Sequence, residues 1–347
     1  MVHADRHAAR LGLVRYMTCG LLLGLALCAA LPDVRGALLG GLTGLVVAAA
    51  GSGGMSGVAR RVALLTAAGS LVLTVVAFAT GTRPVWAALA MAAVALLTSL
   101  AAAAGPLGAV LGFLGSLAYF LVAGMARVAN LFELVSLRWA AAHIAVGCVA
   151  GLIVVLVGTR HRRRGEAPEV TAARVPVPLA PMWRALVTFD EHARDGVRRA
   201  VPLAILMYLF QREGGRDAFW IFFAAYMILL TPGKPSKSQA AVKVGSTVFG
   251  VAALAVISLA VPDRVLFSLG LLILLVGIGL SPAYPVPGGG LTTIGSIVLA
   301  GAPTGDIAGW AGKRIVDVLV GCAIALVATY LFWPKDTENE TPVPAPT

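Results

Sequence analysis

Charge is scarce in this chain. Only 12% of its 347 residues are Asp, Glu, Lys or Arg, and just 16 are acidic; an ordinary soluble domain carries about 25% charged residues. Such a composition excludes a typical solvated globular domain. Cysteine is scarce as well: Cys19, Cys28, Cys148 and Cys322 all lie in apolar stretches and form no CxxC pair. Neither a zinc site nor a disulfide framework is indicated. The chain also lacks a nucleophile motif, a metal-ligand cluster and a Gly-rich nucleotide loop. An enzyme is therefore not expected, nor any metal or cofactor.

What abounds is apolar. Hydrophobic residues make up 59% of the chain, and runs near the roughly 20 residues that cross a bilayer recur along it. Twelve apolar segments stand out, at about 12–31, 36–50, 62–80, 85–104, 106–124, 139–158, 200–211, 218–231, 244–261, 265–281, 291–303 and 313–333. The stretch LLLGLALCAA after the basic N-terminus reads as the first membrane helix, because Leu27 before Cys28 is too large for a signal cleavage site and another apolar run follows. The expected fold is all-α: a polytopic membrane protein of about twelve transmembrane helices.

The net charge of +11 does not point to nucleic acid, because basic residues fall mainly in every second gap between apolar runs. With the N-terminus inside, 18 of the 27 Lys and Arg lie on the inner side, as the cytoplasmic bias of basic residues requires. Trp86, Trp139, Trp220 and Trp310 then sit at outer ends and Trp333 at an inner end. The expectation is a multi-pass protein of the cell (plasma or inner) membrane with both termini cytoplasmic, and lipids as partners.

Two halves of the chain match in order. SGVARRVALLTAAGSLVLTVV from Ser56 resembles SQAAVKVGSTVFGVAALAVIS from Ser238, FLGSLAYFLVAG from Phe113 resembles TIGSIVLAGAPT from Thr293, and HIAVGCVAGLIVV from His143 resembles DVLVGCAIALVAT from Asp317. Two parallel six-helix repeats are expected, at 1–158 and 200–334, joined by a basic, Pro-containing linker at 159–199 and followed by a polar tail at 335–347. In the linker, Trp183, Leu186, Val187 and Phe189 stand among charges, the pattern of a helix lying on the inner membrane surface.

The repeat places His143 opposite Asp317 and Arg61 opposite Lys243. Asp317 lies one turn inside an apolar helix, where a carboxylate costs a few kcal/mol, about 3. His143, Gly147 and Gly151 share a helix face, as do Asp317, Gly321 and Ala325, and small residues let backbones approach. The sixth and twelfth segments are thus expected to meet, bringing His143 and Asp317 to one interior region as a proton-carrying or substrate-binding pair. The alternative is that Asp317 neutralises Arg314 and His143 is a packing donor. Arg61 and Lys243 are candidates for recruiting an anion, or else topology-setting charges. The short segments 36–50 and 218–231 run into GSGGMSGVARR and TPGKPSKSQAAVK, the interrupted pattern of a transporter site. In SPAYPVPGGG at 281–290, three prolines and three glycines are expected to interrupt the helix, as a mobile inner gate or a tight loop.

The second half resembles the fusaric acid resistance protein family, also called the aromatic acid exporter family. The resemblance rests on FWIFFAAYMILLTPGKPSKSQAAVKVGSTVFG and KRIVDVLVGCAIALV: Trp220, Pro232, Lys243, Gly245, Thr247 and Gly250, then Arg314, Asp317 and Gly321. Lys243 stands where arginine is usual, and a serine separates Gly245 from Thr247. The first half is a degenerate copy, and the large soluble domains of many members are absent. The resemblance implies export of aromatic or other organic anions. On the reading of the residues themselves, such an exporter is proton-coupled, with Asp317 and His143 exchanging protons while Arg314 tunes Asp317 and helps bind the carboxylate. Distant similarity to plant aluminium-activated malate transporters raises an anion channel built as a fused pair of six-helix units. A membrane structural or assembly protein is the third reading, and a homo-oligomer is compatible with all three.

Overall fold

The structure, a computed structural model, describes residues 2–33, 36–52, 56–128, 135–163, 179–213, 216–229, 237–281, 284–301 and 306–332. Among them the chain is all-α, with thirteen helices. In the first half these are α1 (Val2–Cys28), α2 (Ala37–Ala50), α3 (Ser56–Thr80), α4 (Pro84–Ala102), α5 (Pro106–Val128) and α6 (Leu137–Arg163). Next comes α7 (Leu179–Thr188), in the linker. The second half has α8 (Glu191–Glu213), α9 (Arg216–Leu229), α10 (Lys237–Ser258), α11 (Asp263–Leu280), α12 (Pro285–Gly301) and α13 (Ile307–Phe332). The arginine and proline stretch at 164–178, the TPGKPS stretch at 230–236, Trp333 and the C-terminal tail lie outside the described residues.

The twelve apolar segments overlap the twelve helices other than α7. Five described helices are long and apolar enough to cross a bilayer: Val58–Thr80, Pro84–Ala102, Leu137–Arg160, Lys237–Ser258 and Ile307–Phe332. Five more apolar stretches are shorter, among them Ala37–Ala50 and Ala218–Leu229. At 1.5 Å per residue, the 14 residues of α9 span about 21 Å, less than the roughly 30 Å hydrocarbon core. The chain is a multi-pass membrane protein.

Helix starts follow local chemistry. Pro84 stands in the first turn of α4, where no N–H is needed. Asp190 caps α8 by accepting from the Ala193 N–H at 3.1 Å, and Asp306 caps α13 through the Gly309 N–H at 2.8 Å. SPAYPVPGGG does interrupt the helix, since α11 ends at Leu280 and α12 begins at Pro285, but the break is shorter than the stretch: α12 runs through Pro287 and Gly288 to Gly290. Both prolines fall in the first turn, where they cost no hydrogen bond. The glycines bring backbones together: a methyl group at Gly288 would meet the Ser281 backbone, and one at Gly289 the Ser246 side chain.

Packing is organised by half. In the first, α6 packs on α1, α2 and α3, and α5 packs on α3 and α4. In the second, α13 packs on α9, α10 and α12, and α12 packs on α10 and α11. Across the halves, α8 lies along α4 in an extensive contact, and α1 touches α11. Among the described residues α6 and α13 do not pack extensively on each other as expected, because each is the packing centre of its own half. Tyr119, Phe120, Phe210, Phe222 and Tyr226 fill the centre where α5, α8 and α9 converge, all fully buried. The Tyr226 hydroxyl shares a 3.0 Å hydrogen bond with that of Ser116.

Candidate functional site

The aromatic run of α9 forms a platform for two cations. Residues three apart share a helix face, so Trp220 and Phe223 stand one turn apart on one side of α9. The Arg314 guanidinium from α13 lies over the Trp220 ring, 3.6 Å from its centroid. The Lys243 ammonium from α10 lies over Phe223 at 5.0 Å. A desolvated contact of this kind contributes about 2 kcal/mol. Arg314 and Cys322 are within electrostatic reach of Lys243, so the two cations belong to one region. Phe219 and Phe120 continue the ring cluster, each stacked on Phe223 at about 6 Å between centroids.

Arg314 is 3% exposed, and its Nε and Nη1 are buried without a hydrogen-bond partner. Asp317, one turn further along α13, is 5% exposed and acts electrostatically on Arg314. Arg314 and Asp317 line a small cavity with Trp220, Trp310, Ser296 and Ile297. Its free space is about 10 Å³, room for one water. In this conformation the site is closed around its own charges. Gly321, on the same face of α13, sits against Ile221, Ala224 and Ala225, where a methyl group would meet the Ile221 carbonyl oxygen. That close approach holds α13 against α9 and sets the height of Arg314 over Trp220.

The other residues singled out by the sequence lie elsewhere. His143 is fully buried on α6, and its Nε2 faces the carbonyl oxygens of Asp33 at 3.0 Å and Pro32 at 3.3 Å. Its ring fills the space above Gly36, and its own carbonyl accepts from the Cys28 thiol at 3.3 Å. Gly147 and Gly151 bring α6 against the backbone of α2 at Gly40 and Gly44. His143 therefore joins α6 to the α1–α2 connection, and Asp317 belongs to the α9–α13 contact. Arg61 is exposed on α3, while its neighbour Arg60 donates to Thr159 Oγ1 at 3.0 Å. Arg314, Asp317 and Lys243 are brought together; His143 and Arg61 are not.

Sequence reasoning missed Phe223, Ser296 and the platform role of Trp220. The three-residue spacing of Trp220 and Phe223 was visible, but no sequence pattern says which cations will stand above them. Among the described residues no group of three or more His, Cys, Asp or Glu could hold a metal ion. Cys19 is exposed, and Cys28, Cys148 and Cys322 are free and buried.

No curated protein and no solved structure matches this chain. A family match falls on the second half and takes in every residue of the α9–α10–α13 site: residues 203–328 match the family model described as fusaric acid resistance protein-like.

Proposed function

We propose that this protein is a transporter of organic anions, foremost aromatic carboxylates, across the cell membrane, and that protonation of Asp317 controls anion binding at Arg314. One observation carries the reading: a buried guanidinium lies over the Trp220 ring with two unpartnered donor nitrogens, beside a carboxylate. Arginine binds a carboxylate through paired N–H donors. Ionised Asp317 competes with a substrate carboxylate for Arg314; protonated Asp317 does not. Binding of the anion therefore favours a proton on Asp317, and a proton on Asp317 favours the anion. Lys243 over Phe223 offers a second station one turn along the same face of α9, suited to an aromatic ring with a charged end. The family match over residues 203–328 is consistent with a membrane transport or resistance role.

The two-repeat arrangement belongs to this proposal. Its support is in the helix pairs: α2–α6 and α9–α13, α3–α6 and α10–α13, α3–α5 and α10–α12, α4–α5 and α11–α12 all pack. The cross-half contacts α4–α8 and α1–α11 also exchange under the same shift, which is seven helix labels because the linker helix α7 lies between the halves. With both termini cytoplasmic, Lys243 lies toward the inner side and Arg314 toward the outer. Outward movement of an anion also runs with an interior-negative potential.

The test is flux of radiolabelled benzoate into proteoliposomes, with and without an imposed pH gradient. Wild-type flux responds to the gradient, and Asp317→Asn carries benzoate with no such response. Conductive flux that follows voltage, ignores the pH gradient and is unchanged in Asp317→Asn overturns the reading in favour of an anion channel.

A further inference from the structure

The linker helix α7 is amphipathic, but its apolar face points away from the protein. Leu179, Trp183, Leu186 and Val187 recur at the spacing of one helix face, and all four are exposed, Trp183 by 67% and Val187 by 63%. The helix touches the body on its other side through Ala185, 2% exposed, which clusters with Leu100 and Ala193 and against Leu96, Ala103 and Met182. A soluble protein would bury four such residues or cover them.

Three further observations identify the cover. First, the depth of α7 is set by α4. That helix has 19 residues, a length of about 28 Å against a hydrocarbon core of about 30 Å. Because α7 seats on its last turn and the residues just beyond it, α7 lies at one boundary of the bilayer. Second, the exposed stripe Val197, Val201, Ile205 and Leu209 of α8 continues the apolar surface from α7 along the membrane-facing side. Third, the joint between α7 and α8 is built to hold its angle. Phe189 adopts a left-handed backbone at φ 48° and is half exposed. The Asp190 N–H donates to the Ala185 carbonyl at 3.1 Å, and Arg194 Nε to the Phe189 carbonyl at 3.1 Å. A bulky residue reaches that conformation at a cost of about 1–2 kcal/mol, so the turn holds Phe189 outward against its own preference.

We infer that α7 lies in the headgroup–acyl boundary of the bilayer, with Leu179, Trp183, Leu186, Val187 and Phe189 inserted and Arg184 at the helix flank reaching the lipid phosphates. Tryptophan partitions to this depth, and an arginine stem can lie along apolar surface with its charge in the headgroups. The helix ties the connection between the two halves of the chain to one leaflet. This inference is independent of the transport reading.

Spin-label accessibility in the full-length chain decides it. Val187→Cys and, as a water-facing control, Glu191→Cys are labelled on a Cys19→Ser background in nanodiscs of phosphatidylcholine and phosphatidylglycerol. At position 187 the label is several-fold more accessible to oxygen than to a water-soluble nickel chelate, and at 191 the order is reversed. Adding Trp183→Glu shifts position 187 toward the behaviour of 191. Nickel accessibility at 187 equal to that at 191 overturns the inference and leaves the face free for a soluble partner. A label shielded from both reagents overturns it in favour of protein cover.

Discussion

Arg314 is held in a way that a purely structural arginine would not need. A buried donor group without an acceptor costs about 1–3 kcal/mol, and Arg314 has two such nitrogens, Nε and Nη1. Stacking on Trp220 offsets part of this cost but satisfies neither donor. On the proposed function those donors are the substrate's. Arg314→Lys keeps the charge but loses the flat fork, so benzoate affinity falls, though less than in Arg314→Gln. A hydrogen bond to a charged group contributes about 1.5–3 kcal/mol, so Arg314→Gln is expected to weaken benzoate binding about 10- to 100-fold, measured by calorimetry on purified protein. His143 illustrates what the residue scale hides in a sequence. Its equivalence to Asp317 along the chain was legible, yet equivalent positions in two repeats need not face each other. The structure puts the ring over Gly36 and its Nε2 on two backbone carbonyls, an arrangement that clamps the α1–α2 connection. His143→Ala is expected to lower the thermal midpoint in detergent, because it leaves a cavity where the fully buried ring stood and removes its contacts to the Pro32 and Asp33 carbonyls.

Among elements, close backbone approach separates glycines that matter from those that do not. In lipid, helices associate by packing and not by hydrophobic burial. At Gly147 a methyl group would meet the Gly40 carbonyl, whereas Gly69 and Gly245 have nothing within 4 Å. Gly147→Leu overpacks α2 against α6 and is expected to cost about 1–3 kcal/mol; a thermal unfolding series in detergent reads the difference. Gly69→Ala and Gly245→Ala gain helix propensity of about 1 kcal/mol and leave the midpoint unchanged or higher. The glycine stripes could be read from spacing alone, but their partners could not: α6 meets α2 and α13 meets α9, where the sequence suggested that α6 and α13 would meet each other. The length of the break at 281–290 has a similar cause. The helix does break between Leu280 and Pro285, but Pro285 and Pro287 fall in a first turn and Gly288 to Gly290 in a contact face. A one-dimensional pattern does not distinguish these roles from a break.

For the whole molecule, an all-α membrane protein follows from the composition, because apolar runs of this number have few alternatives. The number of crossings is less legible. Only five described helices reach crossing length with enough apolar character, and short helices such as α2 and α9 need the rest of the bundle to define their depth. The charge distribution predicts that both termini face the cytoplasm. A fluorescent protein fused at either end should therefore fluoresce, while an alkaline phosphatase fused there should be inactive. The paired contacts α4–α8 and α1–α11 make the second half lean on the first, so the two halves expressed separately are expected to be unstable alone and to recover when co-expressed.

The measurement that tests the central claim most directly is benzoate binding to purified protein at acidic and alkaline pH. The chains compared are wild type, Arg314→Gln, Asp317→Asn and, as a control away from the site, Lys237→Gln. Lys237 lies over Tyr330 at 6.0 Å and takes no part in the Arg314 cluster. The account predicts binding in wild type that strengthens at acidic pH, a large loss in Arg314→Gln, pH-independent binding in Asp317→Asn and no change in Lys237→Gln. Benzoate bound equally by wild type, Arg314→Gln and Asp317→Asn would contradict it.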